Sequence, residues 1–179
     1  MGRVQSMGEV QSMGELQSIV MASPVGALTV VAGHDGLRAV LWPGESVGRV
    51  RLAPPPSPVG PGDDGLLDRA VEQLAEYFAG ERQEFDLPLD PVGTEFQVRV
   101  WRSLAQIGFG ETWTYGRQAE WLGRPGASRA VGAANGRNPL SIVLPCHRVV
   151  GASGSLTGFA GGLGAKRWLL AHEGVTLGG

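Results

Sequence analysis

The chain has little cysteine: one residue in 179, Cys146. That excludes an intrachain disulfide framework and a zinc site built from several cysteines. No stretch approaches the roughly 18 consecutive apolar residues of a membrane span. The N-terminus lacks a basic start followed by an apolar core, so no secretory signal is expected. Net charge is nearly absent too, at −2, and bulk charge alone gives no sign of a polyanionic partner. These absences lead to the expectation of a soluble, cytoplasmic monomer. With 42% hydrophobic content, it can bury one full core, or pair a small domain with a medium one.

What is present is unevenly distributed. Residues 1–85 hold 6 Lys+Arg and 11 Asp+Glu, net −5, whereas residues 86–179 hold 9 and 6, net +3. A mildly basic second half could meet a phosphate backbone. The chain opens on three near-copies of a hexapeptide, MGRVQS, MGEVQS and MGELQS. These are too short for a solenoid and too poor in large apolar groups to offset their ordering entropy. Residues 1–15 are therefore read as a disordered extension, with Met7, Met13 and Met21 as alternative starts.

Regular structure is expected from about Ile19. Ala27–Ala32 and Leu37–Trp42, on either side of Gly33-His34-Asp35-Gly36, read as a hairpin, with His34 a turn residue. APPPSPVGPGDDG, residues 53–65, reads as loop. Leu67, Ala70, Val71, Leu74, Tyr77 and Phe78 fall at helical spacing before Gly80. EFDLPLDPVG, residues 84–93, reads as a connector and places the domain boundary, giving 16–87 and 88–179. Thr94 caps a helix whose apolar face is Phe96, Val100, Trp101 and Leu104, ending near Gly108-Phe109-Gly110. Two short helices follow, Tyr115–Leu122 and Ala127–Ala134, separated by a Gly/Pro turn. That spacing suits both a plain helical pair and a helix-turn-helix. The second helix is nearly all Ala, Gly and Val, with Arg129 its one long side chain. Such a surface suits close packing in a core or close approach to DNA.

An apolar run then ends in Pro145-Cys146-His147-Arg148. A lone cysteine is commonly a small buried hydrophobe. A reactive one needs a proton acceptor or positive charge nearby, because the free thiol has a pKa of ~8.5 and thiolate is the nucleophile. His147 and Arg148 are adjacent in sequence, but neighbouring side chains diverge, so a Cys146–His147 link would run through a water. A histidine base needs an orienting carboxylate, and Glu173, in Ala171-His172-Glu173-Gly174, is the nearby candidate.

Residues 138–174, NPLSIVLPCHRVVGASGSLTGFAGGLGAKRWLLAHEG, closely resemble the active-site region of the O6-alkylguanine-DNA alkyltransferases. The resemblance extends upstream through FQVRVWRSL, GETWTYG and SRAVGAANGRNP, covering most of 90–175. SPVGALTVVAGHDGL resembles the family's N-terminal domain less specifically. The resemblance implies an α+β protein. A small N-terminal α/β domain (antiparallel sheet plus helix, RNase H-like) would precede a mainly helical winged helix-turn-helix domain. It further implies irreversible transfer of an alkyl group from O6-alkylguanine, and from O4-alkylthymine, in double-stranded DNA to Cys146. Each molecule would act once, because the thioether is not hydrolysed.

By the same resemblance His147 is the water-linked base, Glu173 its orienting acid and Tyr115 the donor that quenches charge on the departing guanine. Asn138 braces the active-site turn. A base must leave the duplex to reach a buried thiol. Arg129 is then the finger that fills the gap, with Tyr115, Ser128, Ala130 and Ala134 also on the DNA side. Val149, the loop 153–161 with Phe159 and Ala160, and Trp101 would form the base pocket. Phe159 stands where the family often has tyrosine, and Ala160 where some members have serine, so a hydroxyl contact and a hydrogen bond to the alkylated oxygen are both lost. No zinc site is expected, since the N-terminal half has no cysteine, and no cofactor is implied. The alternatives are a non-catalytic sensor of alkylated DNA, whose relatives replace the cysteine, a thiol hydrolase, for which no oxyanion motif is present, and a helix-turn-helix regulator, for which the second helix lacks base-reading side chains.

Overall fold

Alternating apolar residues build a sheet first. Strands β1 (Gln17–Met21), β2 (Leu28–Gly33) and β3 (Gly36–Leu41) form an antiparallel meander, and the β2–β3 pair is the hairpin expected from sequence. His34 sits exposed in its turn. The computed structural model describes residues 14–45 and 48–177. The expected extension over 1–15 therefore lies, except for Gly14 and Glu15, outside the described residues.

The proline-rich stretch is not wholly loop. Ser57–Pro58 forms a short strand, β4, parallel to β1, in the order β3-β2-β1-β4. Ser57 N–H donates to the Leu16 carbonyl at 2.8 Å and Val59 N–H to the Ser18 carbonyl at 2.9 Å. Proline is tolerated there because a sheet edge has one side on which no N–H is required.

Helix α1 (Gly65–Phe78) begins where Asp64 accepts from the amides of Leu66 and Leu67. Its buried stripe of Leu67, Ala70, Leu74 and Tyr77 belongs to the same core as Leu28, Val30 and Ala32 of β2. On the opposite face Leu16, Val31 and Ala39 are covered by Val50 and Leu52.

In the second half, Thr94 and Gln97 form a reciprocal capping box that starts α2 (Glu95–Ser103). That helix stops earlier than its periodicity suggests: a 3-10 turn over Leu104–Gln106 tightens its end and leads toward Gly108. Helix α3 (Tyr115–Trp121) is capped by Thr114, and α4 (Ser128–Asn135) packs against it. Between them Gln118 and Asn135, both buried, exchange a hydrogen bond at 2.7 Å. Two short parallel strands, β5 (Trp113–Thr114) and β6 (Val149–Val150), lie beside the pair, and α5 (Leu163–His172) closes the chain. The architecture is α+β, a sheet-plus-helix unit followed by a mainly helical one. No helix among the described residues is long and apolar enough to cross a membrane.

The sheet also grips the second half directly. Leu37 pairs with the connector through Pro88 and Asp90, both at 2.8 Å, and Val40 N–H donates to the Pro139 carbonyl at 2.8 Å. The second contact falls seven residues before Cys146, so the sheet holds the base of the segment that carries the thiol.

Candidate active site

The segment 138–148 is buried throughout. It contains Ile142 at φ 75°, a left-handed conformation that a β-branched residue adopts only under constraint. The constraint comes from both sides. Asn138, fully buried, donates to the Leu144 carbonyl at 2.8 Å and accepts from Leu140 N–H at 3.0 Å. Trp42, at the end of β3, donates its indole N–H to Ser141 Oγ at 3.0 Å. The clamped turn delivers Pro145 and then Cys146–Arg148, which forms a single 3-10 turn. Asn138 thus ties two parts of the turn together, while Trp42 and Ser141 are partners that the sequence did not reveal.

Cys146 is 7% exposed. Burial pushes its thiol pKa up, against smaller opposing effects from an Asn138 hydrogen bond and the positive charges of Lys166 and Arg49. The resting group is therefore a thiol, and a base must remove its proton. Arg148, two residues along the chain, points elsewhere. Its guanidinium donates to Glu173 through Nε at 2.8 Å and Nη2 at 2.9 Å.

His147 is fully buried and hydrogen-bonded through Nε2 to Glu173 Oε1 at 2.8 Å. Burial drives its pKa down, and the contact with Glu173 only partly opposes this, so the ring is neutral. Burial alone would raise the Glu173 carboxyl, but hydrogen bonds from His147 and Arg148, with the Arg148 charge, outweigh it and hold the group at about 2. A carboxylate only accepts, so the His147 proton sits on Nε2 and Nδ1 carries the lone pair. Nδ1 is buried with no hydrogen-bond partner among the described residues. An orphaned basic nitrogen one residue from a buried thiol is equipped to take a proton.

A cavity of about 630 Å³ is lined by Tyr115, Ser128, Arg129, Gly132, Gly136, Thr157, Gly158, Phe159 and Ala160. It unites the start of α3, the outer face of α4 and the 157–160 loop. The Tyr115 hydroxyl shares a hydrogen bond with Thr157 Oγ1 at 2.9 Å. Lys166, the only lysine in the chain and nearly fully buried, connects the cavity wall to the thiol. Its ammonium donates to the Thr157 carbonyl at 3.2 Å and the Val149 carbonyl at 2.7 Å, and its charge acts on Cys146. Phe159 meets Trp42 edge-on at 5.3 Å. Gly161 makes that contact possible, since a Cβ there would lie 2.6 Å from the Trp42 ring.

Three sequence-predicted positions fall elsewhere. Trp101 does not line this cavity. It is buried under α4, donating to the Ala134 carbonyl at 2.7 Å, and borders a separate cleft beside Arg49 and Arg137. Ala134 is only 4% exposed, because residues 131, 134 and 135 share the inward side of α4; Arg129, Ala130 and Ala133 face outward. Val149 is buried in β6, with its carbonyl committed to Lys166. Sequence reasoning also missed Lys166, and it read Tyr77 only as part of a helix face. Tyr77 is fully buried and donates to Glu173 Oε1 at 2.8 Å.

Fold and site together define a protein with one buried thiol, a buried histidine–carboxylate pair that follows it, and a cavity over its short helix pair. The comparisons agree with that class. Residues 17–91 match the model of the 6-O-methylguanine DNA methyltransferase ribonuclease-like domain, and residues 95–175 match that of the DNA binding domain of the same enzyme. A methylated-DNA–protein-cysteine methyltransferase of Mycobacterium tuberculosis is 49% identical over 84% of this chain and 88% of its own. One from Methanosarcina acetivorans is 46% identical over 87% and 96%. The structure of Mycobacterium tuberculosis OGT in complex with DNA superposes with a TM-score of 0.76 at 47% identity, covering 89% of this chain and 92% of that one. The chain belongs to the 6-O-methylguanine DNA methyltransferase family.

Proposed function

We propose that this chain repairs DNA by direct reversal, moving an alkyl group from O6 of guanine in duplex DNA onto Cys146 Sγ, once per molecule. The observation that carries the reading is the Cys146–His147–Glu173 array. A neutral imidazole, with its lone pair on Nδ1, follows the chain's one thiol directly in sequence, which supports this reading. In this reading a water passes the thiol proton to His147 Nδ1, and Glu173 stabilises the imidazolium. Sulfur attacks the alkyl carbon, the S–C bond forms as the C–O6 bond breaks, and the electron pair leaves on guanine. Tyr115 donates a proton toward that leaving base. The thioether has no route to hydrolysis, so one alkyl group ends the working life of the molecule.

The base reaches the thiol by leaving the stack and entering the cavity bounded by Tyr115, Phe159 and Ala160. Arg129 and Ala130, exposed on α4, face the duplex, with Arg129 filling the space left behind. Ser128, at the start of α4, lines the cavity mouth. Asn138 keeps the active-site turn in shape. The same reading divides the chain in the connector, into an N-terminal unit at 16–87 and an alkyl-transfer unit at 88–179.

Intact-mass measurement after incubation with duplex DNA carrying O6-methylguanine tests this. The expected result is a single added methyl on the wild type and none on Cys146→Ala. Multiple turnover, or methylation that survives the alanine change, overturns it.

A further inference from the structure

We infer that Tyr77, from the N-terminal helix α1, is a positioning residue for alkyl transfer: its hydroxyl shares Glu173 Oε1 with His147 and so limits how strongly the carboxylate draws a proton onto the imidazole. This rests on the reading of His147 as the base for Cys146.

Glu173 collects donors on both oxygens. Oε1 accepts from His147 Nε2 at 2.8 Å, Arg148 Nη2 at 2.9 Å and Tyr77 Oη at 2.8 Å. Oε2 accepts from Arg148 Nε at 2.8 Å and Gly110 N–H at 3.4 Å. Tyr77 lies 96 residues away in sequence. Its ring is fixed among Phe78, Phe85, Phe109 and His172, with centroids 5.2–6.3 Å apart. Burial and the adjacent Glu173 charge drive the phenol pKa far up, so Tyr77 remains a neutral donor at every accessible pH.

A buried phenol satisfied by a carboxylate is an ordinary way to bury tyrosine. What distinguishes this one is the shared oxygen. Charge drawn to the Tyr77 proton is not available to the His147 proton. Removing the hydroxyl while keeping the ring leaves Arg148 and Gly110 to hold the carboxylate in place. More of its charge then falls on His147, the imidazolium is favoured, and the thiol loses its proton at lower pH.

The other charged or titratable groups facing the array are left in place by this change. Arg148 lies on Glu173, and Lys166 and Arg49 act on Cys146. Lys166 and Arg148 both oppose protonation of His147. His172, packed on the far side of Tyr77, bonds the Tyr77 backbone carbonyl at 2.7 Å.

The test follows the pH dependence of Cys146 alkylation by iodoacetamide, read by intact mass. It needs no DNA, so its failure is separate from failure of the repair reading. In Tyr77→Phe the rise in rate should move to lower pH by about half a unit, part of the effect of one hydrogen bond to a charged group. In Glu173→Gln, adding Tyr77→Phe should move it no further. As a second probe that keeps the hydroxyl, 3-fluorotyrosine incorporated in a Tyr115→Phe background makes Tyr77 a stronger donor, since the chain has only two tyrosines. It should move the profile to higher pH. Superimposable profiles, or an equal Tyr77→Phe shift without the Glu173 charge, assign Tyr77 to packing alone and overturn the inference.

Discussion

Glu173→Gln should be among the most destabilising single changes near the site, and its cost should depend on pH in a prescribed way. All the groups that contact the carboxylate are donors: His147 Nε2, the Arg148 guanidinium, the Tyr77 hydroxyl and Gly110 N–H. An amide keeps the shape but brings two hydrogens into that ring of donors and leaves Arg148, 6% exposed, without its counter-charge. Two routes give the magnitude. The carboxyl falls from 4.5 to about 2 on folding, which at about 1.4 kcal/mol per unit is worth about 3 kcal/mol. Removing one partner of a buried ion pair costs about 3–5 kcal/mol. A loss of about 3–4 kcal/mol lowers Tm by about 10 °C in a chain of this size.

Because the folded-state pKa of Glu173 is depressed, its contribution is fully present above the unfolded value and is lost as pH falls toward the folded one. Urea unfolding of both proteins, followed by tryptophan fluorescence, reads this directly. The gap should hold from pH 7 down to 4.5, the unfolded value, and then close toward 2. About 2 kcal/mol of it should be gone by about pH 3. A cost under about 1 kcal/mol, or a gap that stays constant through the acid range, refutes the argument.

Other perturbations separate the parts of the site. Asn138→Ala strands a buried carbonyl and a buried amide at Leu144 and Leu140; it should cost about 2–4 kcal/mol, measured by denaturation, and slow methyl transfer from DNA as the turn relaxes. Arg129→Ala should weaken duplex binding in a titration and slow repair of duplex DNA more than reaction with free O6-benzylguanine; equal losses on both substrates reject a role in opening the stack. Gly161→Ala places a methyl 2.6 Å from Trp42 and should displace the Trp42–Phe159 contact, read as a changed tryptophan emission together with slower transfer from bulky O6-alkyl groups.

Much of the fold was legible because its signals are local. The β2–β3 hairpin followed from two apolar runs around Gly33–Gly36, and α2 from Thr94 and Gln97, whose side chains serve backbone groups three residues away. Cys146, His147 and Glu173 were nameable from the motifs that hold them. Position on a helix was less secure. Ala134 looked equivalent to Ala130 along a run of small residues, yet it faces inward, because α2 and Trp101 lie on that side. No small-residue pattern states which side another helix will cover.

By itself the sequence determined the β2–β3 hairpin, helices α1 to α4 and the family. Only the tertiary structure decided the state of the site. The thiol pKa is raised above its ordinary value because the fold buries it. The His147 proton lies on Nε2 because α5 ends with Glu173 against it. Arg148 serves the carboxylate instead of the neighbouring thiol, and Tyr77 reaches the same oxygen from the other half of the chain. Desolvation and hydrogen-bond geometry depend on what surrounds an atom in space, and residues as far apart as Tyr77 and Glu173 meet only after the chain has folded.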